Sequence, residues 1–230
     1  MNKEKSSFYK EHPKTCSPED FWGQVKRTVN GTSVPQDQID MIEDAVLKAL
    51  DLTPEDSLLD ICCGNGALST LFFRHCDNIF GVDFSEPLIS IANKNFANPP
   101  NETYILGDVI DFCENPITPD KFTKLLCYGS FSYIDFEKAE SILVNLRKNF
   151  SKLERIFIGN CPDKNHFGEF YGNKSLKVGL EDDPNSPIGI WRTPNEFISM
   201  ANHCGWQAEI SKMPHQYYAA HYRYDVILTK

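Results

Sequence analysis

Between residues 57 and 159 short apolar runs alternate with helical periods and sharp turns, and this alternation constrains the fold more than any single motif. The runs are Ser57–Cys62, Asn78–Asp83, Thr103–Leu106, Phe122–Tyr128 and Arg155–Gly159. Helices are expected over Ala67–Cys76, after Ser85 (Leu88, Ile91, Ala92 and Phe96 on one face), and after Asp135 (Phe136, Ala139, Leu143, Leu146 and Phe150 inward). Strands separated by helices pair in parallel, so the prediction is a doubly wound α/β sheet with helices on both faces. Right-handed crossovers leave few topologies.

Ligands of such sheets bind beyond the carboxyl ends of the strands. Asp60, Asp83, Asp108 and Tyr128 fall at four of those ends. The first end leads into Cys62-Cys63-Gly64-Asn65-Gly66-Ala67-Leu68, a tight loop opening a helix whose free amides face a small molecule. Gly64 and Gly66 let the backbone pass close to that molecule and take positive φ.

Upstream, residues 1–34 are polar with scattered aromatics and are expected to form a helical flap. Ser17 would cap its helix, with Pro18 and Asp20 in the first turn and Phe21, Trp22, Val25 and Val29 along one face. Ser33-Val34-Pro35-Gln36 has a capping-box pattern, followed by Ile39, Ile42, Val46, Leu47 and Leu50 at helical spacing. The domain proper is placed at 35–230. Within it, residues 161–192 lack periodicity, and a loop of that length in a compact domain is usually functional. Thr193-Pro194-Asn195-Glu196 is a capping box with proline at the first helical position, and Gly205 ends that helix. Trp206–Ile210 and Tyr222–Leu228 follow without a helix between them and should pair antiparallel.

The formal charge of −9 and the absence of a Lys/Arg cluster argue against a duplex-binding surface. No run approaches the roughly 18 apolar residues of a membrane span. The start of the chain has no secretory pattern, and the eight cysteines include no C-x-x-C pair and no Cys/His metal spacing. The expectation is a reduced, cytoplasmic protein without a metal, monomeric or homodimeric. Asn30-Gly31-Thr32, Asn101-Glu102-Thr103 and Asn173-Lys174-Ser175 match the glycosylation pattern by chance on that view.

Leu58–Gly66 resembles the first motif of class I S-adenosylmethionine (SAM) dependent methyltransferases, a strand ending in an acid followed by G-x-G-x-G. Asp83 closing the second strand, Gly107-Asp108 closing the third, the Leu125–Gly129 strand and the final helix–strand–strand unit follow in the family's order. The resemblance implies a seven-stranded, mostly parallel sheet of order 3-2-1-4-5-7-6 with the last strand antiparallel, and SAM as cofactor, leaving S-adenosylhomocysteine (SAH). It assigns the cofactor to Asp60, Cys62, Cys63, Gly64, Asn65 and Gly66, with Asp83 on the ribose hydroxyls, 17 residues after Gly66. Asp108 and the Val109 amide take the adenine edge, and Phe84 and Ile110 its faces. The Cys127, Tyr128 and Gly129 carbonyls hold the methionine ammonium, and Arg27 from the flap its carboxylate. Cys62 stands where the family has its first glycine. A nicotinamide-binding domain is the rival. It is disfavoured because Gly64-Asn65-Gly66-Ala67-Leu68-Ser69 lacks the third small residue at Ser69.

Methyl transfer is an in-line displacement that mostly needs positioning, with a base only where the acceptor must lose a proton. The acceptor is expected to be a small polar metabolite, a sugar or related derivative, methylated on O or N. His166 is the candidate base, and Tyr133, Asn160, Tyr171 and Arg192 are candidate substrate contacts. His215, Tyr217, Tyr218 and His221 lie between the last two strands. A SAM- or SAH-binding protein without catalysis is the alternative in another class.

Overall fold

The structure is a computed structural model in which residues 3–172 and 176–230 are described, with side chains from Ser7 onward. The first two residues of the expected flap and the Asn173-Lys174-Ser175 pattern lie outside the described residues. Seven strands form one sheet: β1 (Ser57–Ile61), β2 (Asn78–Asp83), β3 (Glu102–Leu106), β4 (Lys124–Tyr128), β5 (Arg155–Pro162), β6 (Gln207–Lys212) and β7 (Arg223–Thr229). Their order is β3-β2-β1-β4-β5-β7-β6. The first five pair in parallel, and β7 runs antiparallel to both β5 and β6. The expected topology is the observed one.

The helices are α1 (Lys3–Glu11), α2 (Phe21–Gln24), α3 (Gln36–Leu50), α4 (Glu86–Asn95), α5 (Val109–Glu114), α6 (Phe136–Asn149), α7 (Phe167–Tyr171) and α8 (Pro194–His203). Alternation along β1 divides the core. Leu59 and Ile61 join one apolar cluster with Ala139, Leu143 and Leu146 of α6 and Phe197 and Met200 of α8. Leu58 joins the other, with Ile39, Ile42, Val46 and Leu50 of α3. Each such side chain, fully withdrawn from water, contributes about 1.5–3 kcal/mol before chain entropy is charged against it. α8 starts as expected: the Thr193 side chain accepts from the Glu196 amide while Glu196 accepts from the Thr193 amide.

Four local expectations fail. The flap helix is one turn long. Asp20, not Ser17, caps it by accepting from the Gly23 amide, and the chain then turns back as a ribbon pairing Thr28–Val29 with Thr32–Ser33. Asn30 and Gly31 both take positive φ (51° and 81°), the backbone that an Asn-Gly hairpin turn supplies. Ser33 does not cap α3. Its hydroxyl donates to Asp20 Oδ1 at 2.5 Å, and Pro35 holds the N-cap without a side-chain bond. The helix expected over Ala67–Cys76 is a 3-10 segment, Ser69–His75. Phe136, expected inward, is 52% exposed at the first position of α6.

One departure from regular pairing positions the site. Between Ile158 and Cys161 the β5–β7 register shifts, and Asn160 takes φ 67°. A bulge re-aims the side chain it carries. Here Asp225 Oδ1 accepts from the Asn160 amide at 2.8 Å, holding the extra residue in place.

Candidate cofactor and acceptor site

At the carboxyl ends of β1, β2, β4 and β5 lies a cavity of about 640 Å3, lined among others by Asp60, Asp83, Tyr128 and Asn160. That is the size of a small-molecule pocket. Its floor is the loop after β1. Cys62 occupies that loop at φ 61° and Gly64 at φ 60°. A Cβ on Gly64 would lie 2.9 Å from Val25 Cγ1, so the flap closes against this glycine. Gly66, at φ 77°, is packed under Tyr104, whose ring a Cβ would meet at 2.8 Å.

Two buried carboxyls stand at the strand ends. Asp83 accepts from the Gly64 amide at 2.9 Å through Oδ2 and from the Ser85 amide at 2.8 Å through Oδ1. The Phe84 amide also bonds this carboxyl, which leaves acceptor capacity for a further donor. Burial nevertheless raises its pKa to about 6. Asp60 accepts from Ser69 Oγ at 2.5 Å, and burial pushes it up to about 7. Exposed Asp108 caps α5 by accepting from the Ile110 amide at 2.8 Å. Phe84, Val109 and Ile110 line the wall beside it.

Across the cavity Arg27 comes down from the ribbon. Its guanidinium carbon lies 5.2 Å from the Trp22 ring centroid and 5.0 Å from that of Tyr128, and its buried Nη1 has no hydrogen-bond partner. Asn160 Oδ1 is likewise buried and without a partner. An unpaired buried donor or acceptor costs about 1–3 kcal/mol, so an orphan of each kind on one cavity wall marks a place for a ligand carrying both complements. Asn65 lines the cavity and is also tied to the flap. Its amide turns to the flap, donating to the Phe21 carbonyl and to Gln24 Oε1, both at 2.8 Å.

The cavity thus brings together Arg27, Asp60, Cys62, Cys63, Gly64, Asn65, Asp83, Phe84, Asp108, Val109, Tyr128, Tyr133 and Asn160. Gly66, Cys127, His166, Tyr171 and Arg192 lie off it. Cys127 is fully buried in the core, and contact with its thiol, together with burial, keeps the Cys62 thiol well above its ordinary pKa. His166 does not line the cavity; its Nδ1 lies 3.0 Å from Glu169 Oε2. Tyr171 packs into an aromatic cluster with Phe167, Phe170 and Trp191. Arg192 is spent on the scaffold, donating to the Ile134 carbonyl at 3.1 Å and lying 5.7 Å from the Phe131 ring.

The insertion reaches the cavity through Asn185, Pro187 and Ile188 instead. It is pinned there by Ile190 N to Ser132 O at 2.7 Å and by the Tyr133 hydroxyl to Pro187 O at 2.9 Å. Phe8 and Tyr9, Tyr218, Tyr222 and Arg223 complete the lining. Sequence reasoning did not select Arg223, since a strand-start arginine carries no local signal.

A family model described as a methyltransferase domain matches residues 58–151. An uncharacterised methyltransferase of Schizosaccharomyces pombe is 27% identical over 133 residues, 54% of this chain and 46% of that protein. Ribosomal RNA small subunit methyltransferase A of Pseudomonas syringae pv. tomato is 35% identical over 74 residues, 32% of this chain and 28% of that one. The chain spans less than half the length of these curated relatives. Among solved structures, the DhpI-SAM-HEP complex superposes with a TM-score of 0.66 at 13% identity, covering 100% of this chain and 99% of DhpI. Magnesium protoporphyrin IX methyltransferase from Synechocystis PCC 6803 with bound SAH gives 0.60 at 14% identity, covering 85% and 83%. The acids at the strand ends, the glycine loop and the sheet order agree with these matches: residues 58–151 are similar to a methyltransferase domain, and the chain has the fold of the SAM- and SAH-bound structures.

Proposed function

We propose that the chain moves a methyl group from SAM to a small polar acceptor bound in the same cavity. The observation that carries this reading is the pair of orphans. Arg27 Nη1, a buried donor, and Asn160 Oδ1, a buried acceptor, flank Tyr128 and complement the carboxylate and ammonium of an amino acid. Asp83, held by backbone amides, keeps acceptor capacity for a ribose hydroxyl. The Phe84 and Ile110 side chains bracket a slot for adenine, with Asp108 and the Val109 amide at its edge. When bound, SAM supplies a methyl group made electrophilic by the sulfonium it sits on.

The protein's own work is to fix the two reactants and keep water out. Burial around Asp60 and Asp83, and a lining that includes Tyr9, Tyr133 and Ile188, serve that end. The same covering favours a small acceptor over a polynucleotide, as does the net charge of −9. Among the described residues no helix is long and apolar enough to cross a membrane.

Calorimetry with SAM, SAH and NADH tests the reading. Binding of SAM and SAH is expected, with loss of affinity in Arg27→Ala. Binding of NADH alone would return the chain to the dinucleotide class. Transfer of labelled methyl into a metabolite extract separates an enzyme from a binding protein that merely keeps the fold.

A further inference from the structure

Beyond Arg27, the cavity presents a second arginine, and it stands at the acceptor end. Arg223 opens β7 and lines the cavity with Tyr133, Tyr218 and Tyr222. One of its nitrogens donates to the Asn160 carbonyl, and its guanidinium carbon lies 4.9 Å from the Tyr222 ring centroid. No carboxylate among the described residues comes within ion-pairing distance of it. Asp225, two positions along the same strand face, is turned to the Asn160 amide and does not line the cavity. A guanidinium has five N–H donors in a planar fork; the Asn160 carbonyl and the Tyr222 hydroxyl engage part of it.

The lining also lacks something. Around Arg223 the side chains are tyrosines, Ser130, Asn160, Asn185, Pro187 and Ile188. Among the lining residues described none at this end is a histidine or a carboxylate; His221 packs on the Tyr222 ring, 4.7 Å between centroids, without lining the cavity. The lining acids, Asp60, Asp83 and Asp108, are those of the strand ends assigned to SAM, and Lys138 is bound to Asp135 at 2.6 Å. A neutral hydroxyl would therefore find no group to take its proton, and an ammonium would be repelled by Arg223.

Resting on the methyltransferase reading, we propose that the acceptor atom is an oxygen of an oxyanion, a carboxylate or phosphate-type group, gripped through its other oxygen by Arg223. A lone pair of the acceptor oxygen forms the O–CH3 bond as the methyl carbon's bond to sulfur breaks, the electron pair staying on sulfur. The anion becomes a methyl ester, the sulfonium becomes a thioether, and no proton is lost. A guanidinium suits this task because its N–H donors can hold the oxygen that is not methylated while it stays charged and cannot itself donate its proton away.

The test uses acetate, inorganic phosphate, methanol and methylammonium as probes, titrated into the SAH-saturated protein. Acetate or phosphate is expected to bind, and which of the two binds tighter names the class. In Arg223→Gln, which keeps a donor toward the Asn160 carbonyl, that affinity should fall by about tenfold or more while SAH affinity is unchanged; Arg223→Lys should fall between. Failure of both anions to bind, equal binding in the Gln variant, or equal binding of methylammonium overturns the inference. Failure of SAH itself to bind overturns the methyltransferase reading instead. Turnover on an extract in weak buffer gives a second readout. Methyl transfer to an oxyanion releases no proton, and release of a proton with each methyl transferred would overturn it.

Discussion

Asn65, in the loop that follows β1, donates a hydrogen bond of 2.8 Å to the side chain of Gln24, 41 residues earlier in the flap. Gln24 is 1% exposed and passes the contact on, its own amide donating to the Ser17 and Pro18 carbonyls. The glycine loop and the segment that covers it are therefore one hydrogen-bonded unit. A ligand seated on the loop is seated under the flap by the same contacts.

Asn65→Ala should break that unit. It strands Gln24 Oε1 and the Phe21 carbonyl in a buried place, at a cost of about 1–3 kcal/mol. Urea unfolding is expected to show the loss, and limited proteolysis should cut the chain within residues 12–34 faster than in the parent. Unchanged stability and unchanged cutting would mean that the flap is held by its apolar contacts alone.

Cys62 carries a positive φ of 61° where a side chain is strained by about 1–2 kcal/mol. Cys62→Gly relieves this but gives up a half-buried thiol, so stability should stay within about 1 kcal/mol of the parent. Cys62→Val adds β-branching at the same φ and should cost more than the glycine variant. A chemical-denaturation series of the three proteins ranks them. Valine equal to glycine would show that the loop moves to accommodate either.

The parts of the site that could be read beforehand are those set by local chemistry. Asp60, Asp83 and Asp108 end strands whose apolar runs are plain, and Gly64 sits where a turn must pass close to a ligand. What escaped was long-range. Arg223 reaches the cavity because β7 pairs against β5 across a bulge at Asn160, and nothing near residue 223 announces that register. Asn65 lines the cavity, but the bonds of its amide to Phe21 and Gln24 join residues more than 40 positions apart, which no local pattern announces. His166 was chosen for its chemistry in a segment without periodicity, where direction cannot be read at all.

His166→Ala should leave methyl transfer unchanged, because the ring lies beside Glu169 and does not line the cavity. Steady-state turnover of the variant measures this. A loss of about 100-fold or more, the usual effect of removing a general base, would restore the histidine to catalysis and require the insertion to swing inward.

Asp83 ties ligand affinity to pH. Its folded pKa is about 6, raised by burial. Hydroxyl donors from a ribose favour the charged carboxylate, so binding lowers that pKa and expels a proton where the free protein still holds one. SAH affinity should therefore strengthen as pH rises through about 6 and level off above. Asp83→Asn should flatten this profile and bind more weakly throughout. A wild-type affinity constant across that range would mean that the carboxylate serves only the Gly64 and Ser85 amides.

Stability without ligand should run the other way. Asp60, Asp83 and Asp225 are buried, with folded pKa values of about 7, about 6 and about 7, all raised chiefly by desolvation. Unfolded, each returns to the ordinary carboxylate value of about 4. Between those limits the native state holds more protons than the unfolded one, so unfolding free energy falls as pH rises from about 4 to about 7 and is flat above. Most proteins lose stability on acidification over this interval because their carboxylates are paired. Here these three oppose that trend, since among the described residues none of them has an ion-pair partner within 4.0 Å. Thermal melts of the free protein are expected to move to higher temperature as pH is lowered from about 8 toward about 5, before other groups bring on acid denaturation. Saturating SAH should remove the share that belongs to Asp83, because a carboxylate accepting ribose hydroxyls no longer gains from protonation. A free protein whose melting point drops steadily across the same interval would show that these carboxyls are ionised at neutral pH and stabilised by water reaching the open cavity.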